Sequence, residues 1–279
     1  VNAPDARRST LAASRPAPGT HITIRGLTKS FAGQPLYTGF DLDIPRGQIT
    51  SIFGPNGCGK STMINMVAGL LPMDGGEVLF DGKTLAQTVI GYVFQNYRDA
   101  LFPWKRAIDN IRYPLQIARR PRGEVEARTQ ELVQSFDIRF DLHRYPYELS
   151  GGQQQLVSIM RSLAVHPEVL FLDEPFSALD YEMTLFMRDK LQDIFQATGT
   201  TMILVSHDLE EAVYLADQVL MLTRRPTRIA QVVRFDAARP RHPETTLAAD
   251  EFVHAKAQCL EVFQREVRAR DPAATGGSS

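Results

Sequence analysis

From Ile49 to Leu71 the chain reads ITSIFGPNGCGKSTMINMVAGLL, an apolar run, a glycine-rich loop and a helical repeat of apolar residues in direct series. The loop fits G-x-x-x-x-G-K-[ST] between a strand and a helix, the setting in which that pattern cradles phosphates. Glycines let backbone N–H groups converge on phosphate oxygens without Cβ clashes, and the helix N-terminus adds partial positive charge. Gly54, Pro55, Asn56, Gly57, Cys58, Gly59, Lys60, Ser61 and Thr62 are therefore expected to bind ATP. Lys60 is to reach the β- and γ-phosphates and Ser61 to ligate Mg²⁺. Cys58 has two readings: a small filler, or a reactive thiol whose pKa the helix N-terminus lowers.

Around this loop the pattern alternates. HITIRGLTKSF and FDLDIPRGQITSIFG read as antiparallel strands leading into a buried one, and GGEVLFDGK as a further short strand. Between Gln95 and about Leu149 helical spacing and arginines replace the strand signal, which suggests a helical insertion. EVLFLDEP, TTMILVSHD and QVLMLTRR then alternate with helical stretches, so a mostly parallel, buried sheet is expected. A strand, a Pro-marked linker and a terminal helix close the pattern. The ends, rich in Ala, Pro, Arg, Gly and Ser, read as disordered tails over 1–20 and 271–279.

A net charge of −1 gives no electrostatic reason to expect a nucleic acid partner. Two distant cysteines, Cys58 and Cys259, make no disulfide framework. No apolar run is long enough to cross a bilayer and the first residues lack a secretory h-region, so a membrane role is expected to come through a partner.

VLFLDEP places Asp173 and Glu174 at the end of a buried strand. Asp173 is expected to hold Mg²⁺ and Glu174 to act as general base on the attacking water; the competing reading is a cap for the next helix.

GPNGCGKST, Gln95 after GYVF, LSGGQ, LFLDEP, SALD and SHD occur in the order and spacing of ABC-transporter ATPase subunits, and the chain resembles that family from about Phe31 to Asp217. The resemblance implies an α/β fold: a P-loop NTPase (RecA-like) core with an antiparallel β subdomain and an inserted α-helical subdomain. The cassette is to occupy 21–235, its helical subdomain about 96–160, and a linker and helix 236–270. It also explains a second glycine-rich helix start, Ser150, Gly151, Gly152 and Gln153. In that family this segment serves the partner's ATP, so two copies are to pack head to tail, each closing over the nucleotide held by Lys60 of the other. By the same resemblance Gln95 senses Mg²⁺ and water, His207 contacts the γ-phosphate, and Ser177 to Asp180 run along the dimer interface. Phe31 stacks on adenine, where such contacts contribute about 1–3 kcal/mol per base.

Two departures from the family pattern stand out: Gln154-Gln155-Leu156 replaces the basic residues common after LSGGQ, and Phe31 stands where Tyr is more frequent, a change that a stacking role survives. Leu101, Phe102, Pro103 and Trp104, the only tryptophan, form an apolar patch in the stretch Gln95–Ile111 where importer ATPases receive a permease. Trp104 either seeks that partner or packs internally. LFPW and the tail RRPTRIAQVVRFDAARPR resemble the nitrate, sulfonate and taurine group of bacterial importers. This implies a small anionic nutrient, a periplasmic or lipid-anchored binding protein acting through the permease, and a place on the cytoplasmic face of the inner membrane. Arg224, Arg225, Arg228, Arg239 and Arg241 read as a solvated basic face, or one facing acidic lipids. The alternative class is a soluble ABC ATPase in DNA maintenance, ribosome function or iron–sulfur assembly.

Overall fold

A computed structural model describes residues 19–96, 100–177 and 179–268; apart from Gly19 and Thr20, the two expected tails lie outside them. Two sheets organise the chain. β1 (Thr20–Phe31) pairs antiparallel with β2 (Gln34–Pro45) and with β4 (Gly75–Phe80), giving the order β2-β1-β4. The larger sheet has the order β5-β6-β7-β3-β8-β9, from β5 (Ile90–Val93), β6 (Val169–Asp173), β7 (Thr201–Val205), β3 (Ile49–Phe53), β8 (Gln218–Leu222) and β9 (Ile229–Arg234). All its pairings are parallel except β8 with β9.

Every residue of β3, β6, β7 and β8 is buried, as expected where both faces of a parallel sheet are covered. Their side chains divide by the period of two. Ile52, Phe171, Ile203, Val205 and Leu220 join a core with α1 (Lys60–Val67) and the antiparallel sheet. Phe53, Leu170, Leu172, Leu204 and Met221 face the opposite core. That core includes residues of α2 (Ala107–Ile117), α3 (Arg122–Ser135), α4 (Gly151–Leu163), α5 (Tyr181–Thr198) and α6 (Leu209–Leu215). After the four-residue α7 (Pro243–Thr246), α8 (Asp250–Arg268) lays Phe252, Ala255, Cys259 and Val262 into the same core. At spacings of three and four these residues make one stripe. Its Phe263 meets Phe53, the last residue before the phosphate loop, edge-on at 5.4 Å.

The short strand β5 has only four residues and escaped the sequence pattern; its pairing with β6 on the sheet edge makes it a strand. The arginine expectation needs correction. Arg241 is 1% exposed, and its guanidinium donates to the carbonyls of Tyr214, Ala216 and Phe235. Arg239 donates to Leu215 O and pairs with Asp217 Oδ1 at 2.7 Å. Neither belongs to a solvated face. Both fasten the segment after β9 to the end of α6, because buried carbonyls without partners are costly and the guanidinium supplies several donors in one plane.

Candidate nucleotide site

Because β5, β6, β7 and β3 run parallel, their carboxyl ends share one edge, where ligands of such sheets bind. The register aligns Ile52 and Asp173 with Val205, and Val93 with Leu172. The phosphate loop, Gln95, the Asp173–Glu174 pair and His207 therefore emerge side by side, although they span more than 150 positions of chain.

The loop itself leaves β3 and enters α1 through Gly59, whose φ of +98° is a left-handed conformation. A Cβ there would also stand 2.9 Å from Leu36 Cδ2, so glycine is required on two counts. Lys60 is buried and its ammonium donates to Gly54 O at 3.0 Å and Pro55 O at 3.4 Å, spanning the loop. Two contacts that no sequence motif announces brace the loop from the connection between β8 and β9: Arg225 Nε donates to Gly57 O at 2.7 Å, and Thr227 Oγ1 to Cys58 O at 2.6 Å.

Cys58 is 1% exposed, and burial pushes its thiol above the ordinary range despite the nearby Lys60. Desolvation of the thiolate is the largest influence on it, which favours the reading of Cys58 as a small filler.

Directly after Lys60, Ser61 Oγ donates to Asp173 Oδ1 at 2.8 Å, and the other oxygen of Asp173 is 3.5 Å from Tyr92 Oη, which donates to Asn65 Oδ1. Burial, and secondarily Glu174, raises the Asp173 pKa. A hydroxyl and a carboxylate brought together in a poorly solvated place fit a hard, oxygen-seeking divalent cation, which would relieve that penalty. The donor set therefore fits Mg²⁺.

Glu174 lies just beyond β6 with φ of +46°, its amide held by Val205 O at 2.9 Å. Its Oε2 accepts from Gln95 Nε2 at 2.7 Å and lies 3.3 Å from His207 Nδ1. The helix-cap reading of these acids fails. Asp180 caps α5 by accepting from Met183 N, and Asp208 caps α6 by accepting from Glu210 N and Glu211 N. His207 itself is steadied by its neighbour Ser206, whose hydroxyl donates to Glu211 Oε2; Glu211 pairs in turn with buried Arg188 at 3.1 Å.

Ser150 caps α4 in a reciprocal box: its Oγ accepts from Gln153 N and its own N–H donates to Gln153 Oε1. Gly152 is fixed by close approach, since a Cβ would come within 2.8 Å of Met183 Cγ. No hydrogen bond or ion pair among the described residues joins Ser150–Gln153 to the phosphate loop of the same chain. The residues after the segment prove internal: Gln155 is buried and donates to Pro175 O at 2.7 Å, and Leu156 enters the core. A charge at Gln155 would be desolvated.

Phe31, at the end of β1, is 42% exposed and is not an ordinary core residue. The apolar patch divides: Leu101 is core, Phe102 packs edge-on against Tyr113, and Trp104 is 71% exposed, so its side chain is not internal packing. Buried Asn110 pins this turn, accepting from Phe102 N and donating to the carbonyls of Phe102, Lys105 and Arg106. Arg161 of α4 donates to Ala100 O at 2.6 Å and lies over the Phe102 ring. Sequence reasoning gave neither residue a role: Asn110 falls in the DNI stretch that follows LFPW and carries part of the importer resemblance, and Arg161 sits in no motif. Tyr97, Arg98, Asp99 and Ala178 lie outside the described residues.

Phosphate-loop geometry on the carboxyl edge of a largely parallel sheet, with acidic groups at the end of β6 one strand removed from β3, places the molecule among P-loop nucleotide-binding proteins. Within that class the family model described as ABC transporter matches residues 37–177, and the chain belongs to that family as an ATP-binding cassette. It is 39% identical to the sulfate/thiosulfate import ATP-binding protein CysA of Neisseria meningitidis, over 72% of this chain and 58% of that protein. Identity is 38% to the spermidine/putrescine import ATP-binding protein PotA of Marinobacter nauticus, over 73% of this chain and 55% of that protein. The chain thus spans little more than half the length of these relatives. With the ABC transporter ATP-binding protein MJ0412 of Methanocaldococcus jannaschii it shares 36% identity, over 81% of this chain and 84% of that one. Among solved structures, the dimeric bacterial ABC transporter cassette MJ0796 aligns with a TM-score of 0.68 at 28% identity, over 78% of this chain and 100% of that chain. That cassette is also known as a dimer bound to ADP and Pi.

Proposed function

We propose that this chain is the ATP-hydrolysing subunit of an importer, closing into a head-to-tail dimer on ATP and opening after hydrolysis to drive a separate permease. The observation that carries the reading is the convergence of Gln95 and His207 on Glu174 Oε2, beside the Ser61–Asp173 pair. Glu174 takes the proton of the attacking water, while Gln95 and His207 hold that carboxylate and orient the water. Lys60 releases its loop carbonyls to meet the β- and γ-phosphates, and Phe31 takes the adenine. Ser61 and Asp173, with Gln95, hold Mg²⁺, which when bound draws charge from the phosphate oxygens. Ser150, Gly151, Gly152 and Gln153 of one copy close on the γ-phosphate of the other.

Trp104 and the turn pinned by Asn110 face the permease within Gln95–Ile111. Arg161 joins that turn to α4, so permease movement reaches the γ-phosphate clamp through one rigid helix. The cargo is a small nutrient, and an anion of the nitrate, sulfonate or taurine type is our reading. A relative named for sulfate/thiosulfate import supports an anion, whereas one named for spermidine/putrescine import points to a cation. A binding protein delivers the cargo to the permease, and the chain sits peripherally on the cytoplasmic face of the membrane. In the described residues no helix is long and apolar enough to cross a membrane.

The test is a mild-detergent pull-down of the chain from its native cells with mass identification of stoichiometric companions. A multi-span permease supports the reading; a ribosome, DNA or a scaffold protein overturns the transport role and leaves the ATP chemistry standing.

A further inference from the structure

A second cluster lies at the opposite edge of the large sheet, where its parallel strands begin. His21 is the second residue of β1, Asp81 follows β4, and Glu168 immediately precedes β6. One ring nitrogen of His21 and one carboxylate oxygen from each acid lie within 4.8 Å of one another. His21 is 1% exposed, its Nδ1 is bonded to Thr201 Oγ1 at 2.6 Å, and its Nε2 is buried without any hydrogen-bond partner. A buried ring nitrogen left unpaired on a histidine clustered with two carboxylates calls for a ligand.

We propose that His21, Asp81 and Glu168 form a binding site for a divalent transition metal of the Zn²⁺ class, separate from the nucleotide site. One imidazole and two carboxylates suit Zn²⁺, Co²⁺ or Mn²⁺ and disfavour Mg²⁺ and Ca²⁺, which take oxygen. Ligands about 2.0–2.2 Å from a tetrahedral ion stand roughly 3.3 Å apart, so the side chains need to close by at most about 1.5 Å. Three protein ligands leave a fourth position to water at this half-exposed rim. Thr201, which also accepts from Gly47 N, holds Nδ1 and so turns Nε2 toward the metal, the usual way an outer hydrogen bond orients a ligating histidine. Arg46 pairs with Asp81 and competes for that carboxylate, which limits the affinity. The bound ion would tie β1 and β4 to the start of β6, joining the antiparallel sheet to the parallel one far from the phosphates.

The test uses the full, tag-free chain, stripped of metal and nucleotide, titrated with Co²⁺ while the visible d–d absorption is followed. One saturable Co²⁺ per chain is expected, displaced by Zn²⁺, with affinity at least about tenfold weaker in Glu168→Gln and in Asp81→Asn. These two positions are not fully buried, so the test does not depend on His21→Gln folding. Basal ATP hydrolysis of Glu168→Gln stays at the parent level, and Zn²⁺ raises the melting temperature of the parent but not of this variant. The proposal is overturned by the absence of a saturable signal, or by a signal that Glu168→Gln leaves intact and Ser61→Ala abolishes.

Discussion

The side-chain amide of Gln95 donates to Glu174 Oε2 at 2.7 Å, joining two residues 79 positions apart at the ends of adjacent parallel strands. Glu174 thereby answers to the turn that follows β5 as well as to its own strand. Further along the chain, Arg161 holds Ala100 O and Asn110 holds the turn from Phe102 to Arg106.

Glu174→Gln keeps the shape and the neighbours but cannot accept a proton. Turnover should fall about 10²- to 10⁴-fold, the usual scale for a lost general base, with ATP affinity retained. Size-exclusion chromatography in ATP and Mg²⁺ should show the variant as a dimer; a variant that stays monomeric even with its permease would count against the shared site.

Trp104→Ala removes an exposed ring that no core residue depends on. ATP binding, measured by isothermal titration, should be unchanged, while hydrolysis should no longer respond to the permease. Loss of nucleotide binding would show instead that the ring supports the fold of the site.

Arg161→Ala frees Ala100 O and the Phe102 ring from α4. Coupling should weaken as in Trp104→Ala, and Arg161→Lys should restore it only in part, because an ammonium cannot both stack on the ring and donate in the guanidinium plane. Transport in reconstituted vesicles, compared with hydrolysis in the same vesicles, reads this ratio.

Arg241→Ala leaves three buried carbonyls and Asp217 short of a donor. The loss should be about 3 kcal/mol, which at roughly 2–4 °C per kcal/mol lowers the melting temperature by about 6–12 °C. Calorimetry of the nucleotide-free chain checks it.

Both thiols should stay silent to a disulfide reagent at pH 8 and appear only on unfolding. Burial raises Cys58 and pushes Cys259 up to about 12, so thiolate, the reacting form, is scarce until the pH rises well past the ordinary thiol range. Rapid labelling of the native chain that bound ATP suppresses would revive a reactive Cys58.

Local chemistry made much of this molecule legible in its sequence. A glycine loop between an apolar strand and a helix can be recognised because every residue it needs is contiguous, and so can a capping serine three positions before its glutamine or two acids ending an apolar strand. Period-two and helical spacing likewise exposed most strands and helices, since each records which face is buried. What depends on contacts between distant segments left no such trace. Arginines near the end of the chain look alike in a row, yet Arg241 is buried among carbonyls at the ends of α6 and β9 while Arg225 braces the phosphate loop. Cys58 stands at a helix start in either view, and only the tertiary packing shows it buried. The meeting of Gln95, His207 and Glu174 was settled by strand order, since parallel pairing brings the ends of strands together whatever their separation along the chain, and that of His21, Asp81 and Glu168 by the antiparallel β1–β4 pair meeting the start of the parallel sheet.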